Sequence, residues 1–371
     1  MTKNMKGLSA LLLAKFQDSA GTPVVGRFSM PADFEGEALA LKNLLPGESW
    51  VSASNVRAFE FVLDDEYCIA LAFSISEEDQ EQLKSESDGT IEKIEVPGSV
   101  FLYLAECLKL EPIKLDALWV EEHIGGPAAE KDGVGLDIIR EVLEGVSVFR
   151  LGHKSIFKEN TPARYVANYI CTFDPNLKGI NRLSFHSLEI IREIFLQEKE
   201  HLIEVNLFYA MSTSVLRHAF LEIYRTLEFV FVLPRANALL NQLRGSGATL
   251  NVNVIDFAKQ CYKELGWKRV ERDSIERLFR EYAQVDRGAF QTLTSYCHPF
   301  SSINVVVNMT AEEAAPLARS VAEKYYALRN QVAHQFWPDE MTQCSDKDWQ
   351  ALIEFTLGCI SHFYRQHLSK N

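Results

Sequence analysis

Two hydrophobic periods divide the chain. From residue 8 to about residue 173, apolar residues come in short runs broken by turn formers; beyond residue 180 they recur every three to four positions. Alternation sets successive side chains on opposite faces of a strand, whereas the longer spacing sets them on one face of a helix. The first half therefore predicts strands at 10–16, 24–30, 38–44, 58–63, 67–75, 91–96, 114–120, 146–151 and 165–173. Helices interrupt it at 100–110, with Ser99 as the expected N-cap, and at 136–143. Asp64-Asp65-Glu66 reads as a hairpin turn between two strands.

Asp174, Pro175, Asn176 and Gly179 concentrate turn formers where the period changes. The expected domains are 1–180 and 181–371, an α+β arrangement of a β-rich, sandwich-like or barrel-like domain followed by an all-helical one. Helices are expected at 188–199, at 204–233 ended by Pro234, at 235–243 closed by Gly245, at 254–265 and at 274–282. A short segment at 290–297 follows. Thr310 and Glu313 have capping-box spacing for the next helix, within which Pro316 predicts a kink or a restart and Pro338 a stop. A final helix starts at Ser345 to Asp348 and runs toward Leu368, with Trp349, Leu352, Phe355, Ile360 and Phe363 on its core side.

Charge alters the picture by its distribution. The net charge of −13 argues against a nucleic-acid partner. Residues 1–180 hold 17 Lys+Arg against 29 Asp+Glu, and residues 181–371 hold 21 against 22, so the acidity belongs to the first half. The near-neutral second half leaves room for a local basic groove. Its one basic concentration includes Lys268, Arg269, Arg272 and Arg280, a candidate RNA track that also reads as an ordinary face salt-bridged through Arg272–Glu276 and Arg277–Glu281. The acidic run 77–86 reads as solvated helix or loop, and the glycine-rich stretch 125–135 lacks the G-K-[ST] ending of a phosphate-binding loop. Seven scattered cysteines without a CxxC pair fit a reducing cytoplasm, and no stretch reaches membrane length. The histidines make no HExxH, so neither a metal nor a cofactor is expected.

The stretch 325–337, YYALRNQVAHQFW, holds the densest chemistry. Val321, Tyr325, Leu328, Val332 and Phe336 form one helical stripe and predict the buried side. Ala327, Asn330 and His334 fall roughly opposite, with Glu323 near them. Arg329 points about 140° from His334, so it must reach a shared substrate by its length, by a distorted turn or with help from a second copy of the chain.

Arg329, Asn330 and His334, spaced R-N-x-x-x-H in a helical C-terminal half, resemble the signature of the HEPN superfamily, whose ribonuclease members cut RNA without metal. The upstream run FLEIYRTLEFVF is similar to the HEPN helix that places an acidic residue near the site, and Glu228 is its match. A β-rich domain followed by a HEPN domain further resembles the ApeA-like phage-defence proteins. The resemblance implies a HEPN-type helical bundle, a homodimer with two copies of the motif in one cleft, and a metal-independent endoribonuclease acting as a toxin or antiphage, abortive-infection effector. It also implies a sensor or control role for the first domain, with a phage or host protein as trigger. Histidine suits proton transfer because its ordinary pKa, about 6.5, lies near working pH. Arginine suits a phosphorane because its planar fork donates two parallel hydrogen bonds. His334 is then general base or acid, Arg329 the electrostatic stabiliser, Asn330 the residue orienting His334 or the phosphate, and Glu228 a holder of Arg329. In HEPN toxins paired with a nucleotidyltransferase antitoxin, a tyrosine two positions after the histidine is modified; here Phe336 stands there. The alternative is a non-catalytic HEPN interaction module binding nucleotide or a partner protein.

Overall fold

A computed structural model of the 371-residue chain describes residues 4–21, 34–113, 117–123, 134–152, 162–173, 183–197, 203–246, 252, 254–265, 271–303, 310–334 and 343–368. The chain falls into two compact units, Met1–Pro175 and Asn176–Asn371.

The first unit runs α1 (Met5–Ala20), α2 (Phe34–Asn43), β1 (Leu45–Val51), β2 (Arg57–Leu63), β3 (Glu66–Leu71), α3 (Glu77–Glu86), β4 (Ile91–Ile94), α4 (Gly98–Cys107), α5 (Ala117–His123), α6 (Leu136–Val142), β5 (Ser147–Leu151) and α7 (Ala163–Cys171). The strands form one antiparallel sheet in the order β1-β2-β3-β5-β4. Among the described residues a single sheet packed with helices stands where a sandwich or barrel was expected. Phe59, Phe61, Cys68, Ala70 and Val148 share one face and join a core with Met5, Leu8, Leu12 and Phe16 of α1 and most of α4. α7 packs against β3.

Three expected strands are helices. In 10–16 the buried residues continue Leu8 as Leu12 and Phe16, a helical spacing hidden by the run of leucines, while Leu11 is half exposed. In 38–44 the alternation is deceptive, since Leu41 and Leu44 are buried and Leu39 is exposed. The run 165–173 is buried all round, and periodicity cannot separate a buried strand from a buried helix. Within 114–120, residues 117–120 open α5; residues 114–116 and the expected strand 24–30 lie outside the described residues. β1, with Pro46 and Gly47 and its side chains almost all exposed, escaped because it has no buried face to impose a period. Its register shifts between Pro46 and Ser49, the irregularity tolerated at a sheet edge. The strands at 58–63, 67–75, 91–96 and 146–151 are present as β2, β3, β4 and β5, with β3 ending at Leu71. Between β2 and β3, Asp64 and Asp65 both take left-handed φ, 49° and 63°, as a tight hairpin turn requires. Ser99 does not cap α4. Glu37 of α2 does so from a distance, accepting from Gly98 N at 3.0 Å and Ser99 N at 2.7 Å. The acidic run is helix α3, capped by Ser76.

The second unit is helical: α8 (Phe185–Gln197), α9 (Glu204–Ser212), α10 (Leu216–Val230), α11 (Leu233–Gly245), α12 (Val254–Leu265), α13 (Glu271–Val285), α14 (Arg287–Tyr296), α15 (Ala311–His334) and α16 (Asp346–Leu368). The expected helix 204–233 is broken at Thr213, whose hydroxyl accepts from Val215 N at 3.3 Å, a local bond that competes with helix. Pro234 opens α11 rather than ending α10, as its missing N–H permits in a first turn. The capping box at α15 is present: Thr310 N donates to Glu313 Oε2 at 2.7 Å and Glu313 N to Thr310 Oγ1 at 3.3 Å. Pro316 sits inside α15 without ending it. Trp349, Leu352, Phe355, Ile360 and Phe363 of α16 are buried. Among the described residues no helix is long and apolar enough to cross a membrane.

Asp348 ties α16 to the turn before α15. Its carboxylate accepts from Ser345 Oγ at 2.6 Å, Ser345 N at 2.7 Å and His298 N at 2.5 Å. Burial pushes this carboxyl up, but the bonds from Ser345 and His298 outweigh it and hold it below its usual value. A carboxyl lowered by folding contributes stability above its unfolded pKa and loses it as pH falls through the folded one. Asp348→Asn should therefore destabilise the protein by about 1–3 kcal/mol at neutral pH. In urea titrations this deficit should shrink as the pH drops below about 3.9. In the first unit, Glu37→Ala should lower stability by about 1–2 kcal/mol, with Glu37→Gln recovering part because it keeps one acceptor.

Candidate active site

The rotation of α15 is set by Tyr325. Its side chain is fully buried, and a buried phenol needs a hydrogen-bond partner. Thr356 Oγ1 gives its own proton to Leu352 O at 2.7 Å, so its oxygen is left to accept from Tyr325 OH at 2.8 Å. The Tyr325 ring packs on Phe220, Tyr224 and Phe279, with centroids 5.6, 5.8 and 5.1 Å away. Val321, Leu328 and Val332 are buried along the same side; Phe336 lies outside the described residues. At 100° per residue, this rotation puts Arg329 about 40° from Tyr325, Asn330 about 140° and His334 about 180°. Ala327 and His334 are accordingly exposed, and Asn330 is half-buried.

Arg329 meets α10 and α13 at this buried edge. Its Nη2 donates to Glu228 Oε1 at 3.2 Å and stands 3.4 Å from Glu271 Oε1, while its Nη1 donates to Asn330 Oδ1 at 3.0 Å. The guanidinium carbon lies 4.9 Å from the centre of the Tyr224 ring, a cation–π distance. Tyr224 OH in turn donates to Glu271 Oε1. Burial, first, and then that bond push the Tyr224 hydroxyl far up, so it stays a neutral donor. Arg329 Nε is buried with no hydrogen-bond partner. One cation thus stands between two carboxylates.

The structure brings Arg329, Asn330 and Glu228 together and leaves His334 exposed at the end of the same helix. Two members were not expected from the sequence. Tyr224 lies one turn before Glu228 on the same face of α10, a spacing that marks it as a neighbour of whatever Glu228 holds. Glu271 opens α13, and nothing in its local pattern distinguishes it from the other acidic residues there. Of the two pairings expected for the basic stretch, Arg277–Glu281 is present and Arg272–Glu276 is corrected. Arg272 reaches Glu323 of α15 at 2.5 Å, whereas Glu276 is taken by Arg280 at 2.7 Å, with the glutamate N-terminal to its partner as helices favour. Arg277 and Glu281 are 3.7 Å apart. Lys268 and Arg269 lie outside the described residues.

A separate groove of about 690 Å³ runs along α16, lined by His186, Glu193, Asp286, Glu354, Gly358 and His362 among others. It contains none of the four motif residues. Burial holds the His362 imidazole below its usual value, so it favours the neutral form. Thiol nucleophiles are poorly placed: burial pushes Cys68 and Cys107 up to about 11 and Cys344 up to about 12. Among the described residues no three His, Cys, Asp or Glu side chains gather in a set that could hold a metal ion.

Compared with models of known protein families, with curated proteins and with solved structures, the chain matches none of them.

The Arg329 cluster makes a stability prediction of its own. Arg329→Met should destabilise the helical unit by about 1–2 kcal/mol, a figure discounted because the Arg329, Glu228 and Glu271 side chains remain 21%, 31% and 27% exposed. Part of that loss comes from taking away the cation to which Glu228 is hydrogen-bonded. The same substitution in a Glu228→Gln background should therefore be milder, by about 1 kcal/mol in a double-mutant cycle read from urea unfolding.

Proposed function

We propose that the helical unit is a HEPN-type, metal-independent endoribonuclease that acts as a toxin or antiphage effector. The carrying observation is the fixed guanidinium. Arg329 is hydrogen-bonded to Glu228 and to Asn330 and lies on the Tyr224 ring, so its fork is held in one place on a helix that ends in an exposed histidine.

RNA brings its own nucleophile, the 2'-hydroxyl. Its oxygen attacks the adjacent phosphorus as its proton passes to a base, and the leaving 5'-oxygen takes a proton from an acid. The bond formed closes a 2',3'-cyclic phosphate; the bond broken releases a 5'-hydroxyl. His334 serves as base or acid. Arg329 stabilises the charge gathering on the non-bridging oxygens, and Asn330, already bonded to Arg329, orients the phosphate or the imidazole. One imidazole per chain supplies one of the two proton transfers, so a twofold dimer supplies both. The acidic first unit repels phosphate and acts as the control element, answering to a phage or host protein. RNA is then the substrate and a second copy of the chain the partner.

One observation favours a second reading. Arg329 already has two carboxylates beside it, which suits a structural ion cluster in a HEPN module that binds nucleotide or a partner protein without cleaving RNA. Product chemistry separates the two. The purified chain should cut RNA in excess EDTA, leave 2',3'-cyclic phosphate and 5'-hydroxyl ends, and spare DNA, which has no 2'-hydroxyl. His334→Ala should lower turnover by about 10²–10⁴-fold while RNA binding persists. Arg329→Lys should lose about 10²-fold or more, since it keeps the charge but not the fork. An inert protein, or 3'-hydroxyl and 5'-phosphate ends, would rule the ribonuclease reading out.

A further inference from the structure

Arg329 Nη2 has two anionic neighbours, and they are not equivalent. Glu228 accepts a hydrogen bond from it at 3.2 Å; Glu271 Oε1 stands 3.4 Å away and takes its own hydrogen bond from Tyr224 OH. Their places in the fold differ as well. Glu228 lies in the last turn of α10, which ends at Val230, where the helix end is already negative and does not favour an anion. Glu271 is the first residue of α13, where the positive end of the helix favours an anion. Glu271 therefore has its helix end as a support besides Arg329.

We infer that Glu271 is a stand-in for RNA phosphate: its carboxylate fills the phosphate subsite at Arg329, and substrate binding exchanges the one anion for the other. This rests on the ribonuclease reading above. A carboxylate oxygen and a non-bridging phosphate oxygen are equivalent acceptors for a guanidinium. Glu228 remains the permanent anchor, with Asn330 on the other branch of the fork. Tyr224 helps to hold Glu271 in the subsite when it is empty of substrate. The resting site then has an anion against its arginine, and phosphate must compete for it. This gives the Arg329 subsite a weakened grip on RNA until substrate arrives, a competition felt in binding rather than in the chemical step.

The test uses the full chain and two probes that it does not cut: a fluorescent single-stranded oligodeoxynucleotide and inorganic phosphate. Glu271→Gln keeps an acceptor for Tyr224 and removes the charge. It should tighten both probes about three- to tenfold, and in RNA cleavage it should lower KM with little change in kcat. The gain should vanish when Arg329→Met is added. A one-charge control elsewhere in the same unit, Glu222→Gln, should change binding less than about twofold. Tyr224→Phe, which frees Glu271 without altering charge, should tighten binding in the same direction but by less. The inference is overturned if Glu271→Gln binds no tighter than the parent, if its gain survives loss of Arg329, or if Tyr224→Phe weakens binding. Should no variant cleave RNA while the Arg329-dependent gain is present, the anion subsite stands and the ribonuclease reading fails.

Discussion

Placing the hydroxyl of Tyr325 inside an aromatic core is the constraint from which the helical unit takes its arrangement. The phenol has one acceptor within reach, Thr356 on α16, and its ring is met by Phe220, Tyr224 and Phe279 from α10 and α13. Turning α15 by one residue, about 100°, would leave a buried hydroxyl without a partner and drive Arg329 off the edge of the core. Tyr224 links the two requirements, stacked beside Tyr325 with a 26° interplanar angle while Arg329 rests on its ring. Core packing and site geometry are therefore not independent, because the same ring does both jobs.

That coupling explains what was legible beforehand. The stripe through Val321, Tyr325, Leu328 and Val332 fixed the buried side of α15, and hence the opposed placement of Arg329 and His334, because a long amphipathic helix repeats its signal several times. Glu228 was found through its position on a second helix of the same kind. Glu271 was not, because its role depends on how α13 lies against α15, and no local pattern encodes a contact between distant segments. The first unit was harder for a related reason. Leu12 lies in a run of leucines and α7 in a run buried all round, so the period is masked there, whereas around Leu41 a chance alternation imitates a strand. β1 failed in the opposite way, having scarcely any buried residue to report. The strands that were read, β2 and β3, alternate across a sheet with Phe59 and Phe61 on one face and join at a turn whose two aspartates advertise it.

The electrostatics of the two units point in different directions. In the first, cations are engaged by local acids: Arg150 bridges Glu66 and Glu92 across neighbouring strands at 2.9 and 2.5 Å, and the excess of acidic residues keeps the surface negative. In the second, charge is nearly balanced overall but uneven in detail. Arg272, Arg277 and Arg280, described members of the basic stretch, are about half exposed and already engaged with Glu323, Glu281 and Glu276. They serve helix packing first, and any RNA contact they make must compete with those carboxylates. Under the proposed reaction the same competition governs Arg329, so these arginines would meet a polyanion through exchange. Because one ion pair is broken for each one formed, such exchange depends less on salt than direct capture of phosphate by an unpaired cation.

The geometry of α15 also decides how the proposed reaction is assembled. On one helix Arg329 and His334 are about 140° apart, with Asn330 between them. Arg329 is turned toward α10 and α13, and the imidazole is turned outward at the helix end. A phosphodiester touching Arg329 over Tyr224 would need an acid and a base on opposite sides of the same phosphorus, and one outward imidazole fills one of those places. The exposed Ala327, on the same side as His334, offers little side chain to keep a second helix away. A copy of α15 packed there would bring its own imidazole to the place that the first chain leaves empty. Under the proposed reaction, then, the separation of arginine from histidine on a single helix is the feature that calls for a second chain, and the Tyr325 hydroxyl, by fixing the rotation of α15, is what imposes it.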